Sequence, residues 1–581
     1  MNKITNLFYY QYESSKNKTT KKIRPFWKHL FLIALIALII YIFTLNNYSL
    51  NSEYGFDIFK TNIKRLFQFS NVSTESGHGN LIHKTLSLLF QTLTFALTGS
   101  FLGFLFAIIT SSLTCKNYTN KFWSFISRNL ILLLRSVPEL VFITVFSTVF
   151  YSGLALIMIF MWFSWLWLHK YFIESIDNLD TRHYYISLSQ GNSKFKAFTK
   201  EVLPRLLNRF ISLFLYSFES NMRWASLLAT LGAPGIGILI KYGGSTSRHF
   251  SELGIPLAVL LLVIITLELI NILMNKYVFE FNSKTLKTYD YKKLAKTIDW
   301  RFWIKILLFI FVVIVSFYTI FTTTFKTFPS EYINSFFKEI FNPNWKVFDL
   351  NSSLISKNPI LMLIQALFMS VFILVLSFGI VLLIIPFANK KTSNIFVVFI
   401  VRILNSVIRL IPVIVLFYIF SPVFNSYGSL ILIILAIHSS SSITKQLSEI
   451  IDSVDEEVIT NLKMQGWSRF RIYIRYILPT IKLDLISYAV FYFEMAFRNV
   501  ITYSAVIGQD FNLGYNMYNF LQPKSNNIGN AAAYFWIITL TIFSINILSE
   551  KIVDKYVKNK KPNFKTIIYT NQYFKALITR K

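Results

Sequence analysis

The sequence predicts an all-α polytopic membrane protein built from two tandem, parallel repeats of about six transmembrane helices each. Of the 581 residues, 54% are hydrophobic and 17% are aromatic, and the mean hydropathy is +0.50. Several stretches of about 18 or more residues carry almost no charge, which is enough for a helix to cross a hydrocarbon core of ~30 Å. The third observation is an internal duplication, because charged and turn-forming residues of the first half recur in the second.

The duplication is clearest in a polar segment that occurs twice, at 190–204 and at 465–479. In both copies glycine precedes the proline of a Leu-Pro pair by thirteen residues. The residues that the two copies share include Gln190, Gly191, Ser193 and Pro204 in the first and Gln465, Gly466, Ser468 and Pro479 in the second. Other identities lie 275 residues apart: Glu174 and Glu449, Asp177 and Asp452, Asp180 and Asp455, Phe218 and Phe493, Glu219 and Glu494, and Arg223 and Arg498. Arg128, Arg135 and Pro138 match Arg402, Arg409 and Pro412 at an offset of 274.

The formal charge of +30 comes from 58 Lys and Arg against 28 Asp and Glu. These basic residues gather between apolar spans, so we interpret them as positive-inside topology and contact with anionic lipid headgroups. We expect the lipid bilayer as a partner and no nucleic acid. The single cysteine, Cys115, excludes an intrachain disulfide and a cysteine metal cluster.

The first repeat is expected at 29–280, after a basic cytoplasmic N-terminus at 1–28 that holds seven Lys and Arg. Residues 46–80 are expected outside the cell, and 169–204 form a cytoplasmic loop. A basic cytoplasmic linker at 281–303 follows. The predicted spans are 30–45 (uncleaved), 81–113, 129–151, 153–168, 205–231 and 254–276.

The second repeat is expected at 304–552, with a cytoplasmic loop at 444–479 and a basic cytoplasmic tail at 553–581. Its predicted spans are 304–322, 360–388, 395–420, 427–443, 481–507 and 531–550. Because each half holds an even number of spans, both halves have the same orientation and both termini are expected in the cytoplasm. Such parallel repeats are related by a pseudo-two-fold axis along the membrane normal.

The loop at 169–204 predicts two short helices hinged at Gly191. Ser193 is placed to cap the second of them, and Pro204 suits a first helical turn because its missing N–H costs nothing there. A single copy would be interpreted as an ordinary amphipathic surface helix. The repetition of the glycine-to-proline spacing favours a part with a function.

This spacing resembles the cytoplasmic "EAA" loop of permease subunits in binding-protein-dependent ABC importers, where the loop forms a coupling helix seated in a cleft of the ATPase subunit. Further segments look like those of phosphonate-uptake permeases: Leu134 to Leu140, Phe218 to Arg223, Gly232 to Gly237, and His438-Ser439 before Glu449. The chain also resembles the fused "high-affinity transport system" permeases of small-genome bacteria.

The chain departs from that family pattern in several places. Tyr185-Ile186-Ser187 and Thr460-Asn461-Leu462 stand where the family has Glu-Ala-Ala. Glu139 has Val413 as its counterpart, and His438 has Phe163. These differences predict that the two halves are not equivalent along the translocation path.

Two charged pairs lie on predicted membrane helices, Glu219 with Arg223 and Glu494 with Arg498, each four residues apart in the favourable order. An ionised side chain at mid-bilayer costs roughly 2.5–3.5 kcal/mol on insertion scales, so such residues find partners or face water. Two interpretations stay open: each pair pins its helix, or its arginine lines a path for a phosphate-like anion. Arg135 and Arg409, each three residues before a proline that should kink the helix, have the same two alternatives.

The resemblance implies a permease of the type I ABC importer fold that carries a phosphonate or another small phosphorylated compound. It implies two copies of a separate ATPase and an extracytoplasmic substrate-binding (lipo)protein as partners, in a bacterial cytoplasmic membrane. The chain lacks a Gly-x-x-x-x-Gly-Lys-Ser/Thr phosphate loop, so ATP hydrolysis is not expected on it. No catalytic residue, cofactor or metal is expected, and the carboxylates near 174–180 and 449–455 are interpreted as salt bridges and helix caps. The alternative function is an ion-gradient-driven secondary transporter with parallel repeats.

Overall fold

The computed structural model describes residues 53–74, 79–115, 118–177, 179–230, 234–279, 300–507, 512–522 and 527–556, two short strands near the N-terminus, and the isolated positions 26, 30 and 37. The strands, β1 (Tyr9–Ser14) and β2 (Lys18–Ile23), pair antiparallel. The predicted first span at 30–45, most of the linker at 281–303 and the tail beyond 556 lie outside the described residues.

The described part of the first half consists of ten helices and one pair of two-residue strands. The helices are α1 (Glu53–Leu66), α2 (Leu81–Thr114), α3 (Lys121–Ser136), α4 (Glu139–Val149), α5 (Ser152–Asp177), α6 (Arg182–Ser189), α7 (Lys194–Ala197), α8 (Leu203–Thr230), α9 (Gly237–Ser245) and α10 (Phe250–Met274). The strands are β3 (Val72–Ser73) and β4 (Gly79–Asn80), and π-helical turns stand at Phe198–Val202 and Asn275–Phe279.

The described part of the second half repeats this order with twelve helices. They are α11 (Trp300–Thr322), α12 (Ser330–Phe341), α13 (Pro359–Ala388), α14 (Ile395–Leu410), α15 (Val413–Phe420), α16 (Tyr427–Asp452), α17 (Glu456–Met464), α18 (Arg469–Ile472), α19 (Leu478–Thr480), α20 (Lys482–Ile507), α21 (Asn512–Leu521) and α22 (Ile528–Tyr556). A π-helical turn at Tyr473–Ile477 joins α18 to α19.

The fold class predicted from the sequence is confirmed. Among the described residues, seven helices are long and apolar enough to cross a membrane, and ten spans result if each of three bent helix pairs counts as one. Helix α8 is not among them although it was predicted to span. It carries Arg205, Arg209, Glu219 and Arg223 along its length, so its apolar character is low.

The prediction that residues 129–151 and 395–420 each form one kinked helix is wrong. Each is a pair of helices bent by 89° in the first half and 91° in the second. Pro138 and Pro412 start the second helix of each pair, and the preceding Val137 and Ile411 are in extended conformation. Proline lacks a backbone N–H and disfavours helical conformation in the residue before it, so the predicted kink becomes a complete break.

The helix limits differ from the predicted ones at the cytoplasmic loops. Helices α5 and α16 continue to Asp177 and Asp452, well into the loops predicted at 169–204 and 444–479. Short helices also occur where no element was predicted, namely α1, α9, α12 and α21. An apolar run marks only the part of a helix that crosses the membrane, and charged residues can extend the same helix into water.

Helices α2 and α5 pack closely because α2 presents two glycines. A methyl group added at Gly99 would lie 2.5 Å from Cβ of Phe160, and one added at Gly103 would lie 2.6 Å from the carbonyl oxygen of Met161. Small residues four apart therefore allow the two backbones to approach, as the sequence suggested. This packing supports the core that side chains of both halves share, with Phe160, Leu228, Phe497 and Ile538 buried in it.

Candidate functional site

Each of the two repeated loops consists of two short helices joined at a glycine, as predicted. Gly191 and Gly466 have positive φ angles of 86° and 79°. The hydroxyl of Ser193 accepts a hydrogen bond of 3.3 Å from the backbone N–H of Lys196, and the hydroxyl of Ser468 accepts one of 3.2 Å from that of Arg471. Both serines thus cap the helix that follows the hinge.

Glutamine ends the first short helix of each loop. The backbone N–H of Gln190 donates to the carbonyl of Ile186 at 3.1 Å, and that of Gln465 donates to the carbonyl of Asn461 at 3.1 Å. Pro204 is the second residue of α8, and Pro479 is the second residue of α19. The loops differ beyond the proline, because α8 continues to Thr230 whereas the second copy bends by 69° between α19 and α20.

The two loops expose the same aromatic side chain after the hinge. Phe195 is 79% exposed and Phe470 is 66% exposed. Each lies between two exposed basic residues, Lys194 and Lys196 in the first loop and Arg469 and Arg471 in the second. The basic-aromatic-basic pattern recurs at a distance of 275 residues, so the repeat in the sequence is enough to identify it.

The carboxylates beside the loops make salt bridges and caps, which confirms that interpretation for three of them. The guanidinium of Arg182 donates to Asp180 at 2.7 Å and lowers the pKa of that exposed carboxyl to about 2. Asp455 caps α17 by accepting from the N–H of Glu457 at 2.9 Å. Asp452 lies 3.4 Å from Arg402. No three His, Cys, Asp or Glu side chains in the described part of the chain are placed to hold a metal ion.

A cavity of about 760 Å³ lies between the two halves. It is lined by residues of α5, α8, α10, α14, α15, α16 and α20. Asn275, Lys276 and Glu449 line it near the loop-side ends of their helices, and Pro412 and Tyr503 line it farther along. Three of the predicted membrane charges are in its wall: Glu219, Arg223 and Arg409.

The charged side chains of this cavity form two ion-paired groups. Arg223 lies 3.1 Å from Glu219, one helical turn away on α8. The guanidinium of Arg409 donates to Glu268, and the ammonium of Lys445 lies 3.6 Å from the same carboxylate oxygen. Glu268 and Lys445 were not predicted as site residues. Lys445 could have been found from the repeat, because Lys170 stands 275 residues before it. Glu268 could not, because it has no acidic counterpart in the second half.

One wall of the cavity is aromatic. Trp167 contacts Tyr171 with ring centroids 4.4 Å apart and Tyr216 with centroids 5.5 Å apart. Phe491 and Tyr492 of the other half continue this wall. The cavity wall therefore combines charged side chains with aromatic rings.

The other three predicted membrane charges, Arg135, Glu494 and Arg498, meet in a separate cluster. Glu494 lies 3.1 Å from Arg498 and 3.5 Å from Arg135. Arg498 also lies 3.7 Å from Glu139, whose other oxygen accepts a hydrogen bond of 3.1 Å from Thr502. Glu494 and Arg498 are only 4% and 5% exposed, and none of these residues lines the cavity.

Comparison with known proteins places both halves in one family. The family described as "Binding-protein-dependent transport system inner membrane component" matches twice, at residues 99–279 and 381–560. The chain belongs to this family. It is a multi-pass membrane protein and the permease component of an ABC importer, which works with a partner ATPase and a substrate-binding protein.

Among relatives, the chain is 29% identical over 568 residues to the ABC transport system permease protein p69 of Mycoplasma genitalium, covering 95% of this chain and 100% of that protein. The p69 protein of Mycoplasma pneumoniae is also 29% identical, over 86% of this chain and 88% of its own length. The phosphite transport system permease protein PtxC of Stutzerimonas stutzeri is 24% identical over 32% of this chain and 69% of that protein. No solved structure matches the chain.

Proposed function

We propose that the chain forms the translocation path for a phosphonate or another small phosphorylated compound and is driven through its two cytoplasmic loops by two copies of a separate ATPase. An extracytoplasmic binding protein delivers the substrate. The chain lies in a bacterial cytoplasmic membrane with both termini inside. The observation that carries this proposal is the pair of glycine-hinged loops, which have the same local geometry in both halves of a duplicated membrane protein.

The loops have the form of mechanical contacts. After the hinge, each presents an exposed phenylalanine between two cations, a combination that is costly to leave in water and suited to a protein cleft. Behind each loop a π-helical turn leads directly towards a membrane helix, α8 or α20. A push on the loop is therefore transmitted to helices that line the cavity.

The cavity supports the substrate class. Arg223, Arg409 and Lys445 supply guanidinium and ammonium donors, which suit phosphate-like oxygens. Lys276 and Glu449 line the cavity near the loop-side ends of their helices, and this position supports a conformation open to the cytoplasm. The similarity to a phosphite permease, although it spans a third of the chain, points to the same chemistry.

Reconstitution tests this function. The chain is placed in proteoliposomes with its partner ATPase and binding protein, and uptake of a radiolabelled alkylphosphonate is measured. We expect uptake to require ATP and to persist when an ionophore abolishes ion gradients. Uptake that continues without the ATPase and stops with the ionophore would identify a gradient-driven secondary transporter instead.

A further inference from the structure

The two halves place equivalent cations in different surroundings. In the first half, Arg135 bonds to Glu494, and the ammonium of Lys170 lies 4.3 Å from the ring centroid of Phe491. In the second half, the equivalent Arg409 and Lys445 face the cavity and share one carboxylate, Glu268. A duplicated pair of cations thus lies at a contact between the halves on one side and in the wall of the cavity on the other.

The cavity pair is incompletely neutralised. Arg409 is 5% exposed, and its Nε is buried without a hydrogen-bond partner in the described part of the chain. Glu449 lies one turn from Lys445 on the same helix, but no ion pair within 4.0 Å joins them among the described residues. Two cations therefore share one close carboxylate, and a guanidinium donor stays free.

We propose that Arg409 and Lys445 form the anion-binding site of the cavity and that Glu268 is the internal counter-ion which the phosphate or phosphonate group of the substrate displaces. This inference rests on the proposed function and deepens it. Without substrate, Glu268 pairs with both cations, which would otherwise be isolated charges inside the membrane at a high cost in free energy. An incoming dianion replaces one carboxylate contact with several charge-assisted hydrogen bonds from the guanidinium and the ammonium.

The place of Glu268 supports exchange rather than a permanent bond. Glu268 lies on α10, the last membrane helix of the first half, whereas Arg409 and Lys445 lie on α14 and α16 of the second half. The contact crosses between halves at the wall of a cavity, so it can open without breaking the packing of either half. Arg135, Glu494 and Arg498 of the other cluster do not line the cavity.

The test measures the electrostatic potential of the cavity in the intact chain. Ser442 lines the cavity one turn before Lys445, so Ser442→Cys in a Cys115→Ala background provides a reporter thiol. Its reaction rates with an anionic and a cationic methanethiosulfonate are compared. We expect Glu268→Gln to raise the anionic-to-cationic ratio about fivefold and Arg409→Gln to lower it about fivefold.

Two further variants control for folding and position. Arg409→Lys keeps the charge and should keep the ratio, whereas Glu139→Gln removes a carboxylate outside the cavity and should leave it unchanged. Inorganic phosphate at millimolar concentration should slow the anionic reagent, and more so in Glu268→Gln. The inference is overturned if Glu268→Gln leaves the ratio unchanged or lowers it, or if phosphate gives no protection in either protein.

The outcome separates this inference from the proposed function, because the thiol assay needs neither ATP nor the ATPase. ATP-dependent uptake by the wild type together with an unresponsive thiol would refute the anion site alone. The expected thiol ratios without any ATP-dependent uptake would refute the importer role alone.

Discussion

Gly191 and Gly466 show how one residue sets the shape of a loop. A methyl group added at either position would meet nothing within 4 Å, so crowding does not explain the glycines. Their φ angles of 86° and 79° do, since a residue with a side chain is strained there by about 1–2 kcal/mol. The glycine is required by backbone conformation alone, at an exposed position.

Replacement of both hinge glycines should uncouple the transporter. We expect Gly191→Leu and Gly466→Leu to lose most ATP-driven uptake while the ATPase still hydrolyses ATP. The substituted residue leaves the positive-φ conformation, and the two short helices of the loop then change their relative orientation. Uptake and phosphate release are measured in the same proteoliposomes. The thermal unfolding midpoint of the purified chain should fall only slightly, since both glycines are exposed and the strain at each is about 1–2 kcal/mol.

Gly379 is the matched control for that experiment. It lies inside α13, where an added side chain also meets nothing within 4 Å but no positive φ is needed. Gly379→Leu should therefore leave both activities unchanged. Normal uptake in both hinge variants would contradict the coupling role.

The exposed phenylalanines can be tested in the same way. We expect Phe195→Ala and Phe470→Ala to weaken co-purification of the ATPase at least about tenfold when combined, because each removes a large apolar anchor from the contact. The unfolding midpoint should not change, since the side chains are 79% and 66% exposed. Phe321→Ala removes an 82% exposed ring at the end of α11 and serves as control. ATPase retention equal to wild type would show that these rings are not the anchors.

Single residues were partly predictable from the sequence. Helical spacing places Glu219 beside Arg223 and Glu494 beside Arg498, and both pairs are found 3.1 Å apart. The partner from the other half could not be predicted in this way. That Arg135 meets Glu494 depends on how two bundles dock, and no local spacing encodes docking.

At the scale of helices, the contact between α2 and α5 depends on two glycines. We expect Gly99→Val to destabilise the protein by about 1–3 kcal/mol, because the new side chain overlaps Cβ of Phe160. Unfolding in a detergent titration measures the loss. Gly379→Val, in the equivalent helix of the second half, faces open space and should be neutral. Equal stability of the two variants would show that α2 and α5 can separate without cost.

Hydropathy predicted where the chain crosses the membrane better than where helices begin and end. The apolar runs at 81–113 and 360–388 coincide closely with α2 and α13. The break at Pro138 was expected only as a kink, since the bend angle depends on what packs against both arms. Short helices such as α9 carry too few residues for a periodic pattern and were missed.

At the scale of the whole molecule, the two contacts between halves are not equivalent. On one side, Arg498 joins Glu494 to Glu139 and closes the interface. On the other, Val413 stands in place of Glu139, and Arg409, the counterpart of Arg135, pairs with Glu268 beside the cavity. The loss of Glu139's counterpart predicts halves that are inequivalent along the translocation path, and the ion pairs of the two halves do differ.

This asymmetry separates two arginines that the repeat makes equivalent. Arg498→Met leaves Glu494 and Glu139 buried with fewer partners, and we expect a loss of about 3–5 kcal/mol. Arg223→Met should destabilise less, because Glu219 adjoins a cavity that water can enter, while uptake should fall strongly. Thermal unfolding and uptake per folded protein are measured for both. Arg402→Met removes a partly exposed pair with Asp452. Its free energy of unfolding should fall by less than about 1 kcal/mol, and its uptake should equal that of the wild type.

The comparison of the two variants decides between a closed contact and a path. If Arg498 pins the halves together, its variant is unstable, and Glu494→Gln in the same chain recovers part of the stability by removing the unpaired charge. If Arg498 lined the path, its variant would stay stable and lose uptake like Arg223→Met. Equal stability and equal loss of uptake would place both arginines on a symmetric pathway, which the position of Arg498 outside the lining of the cavity argues against.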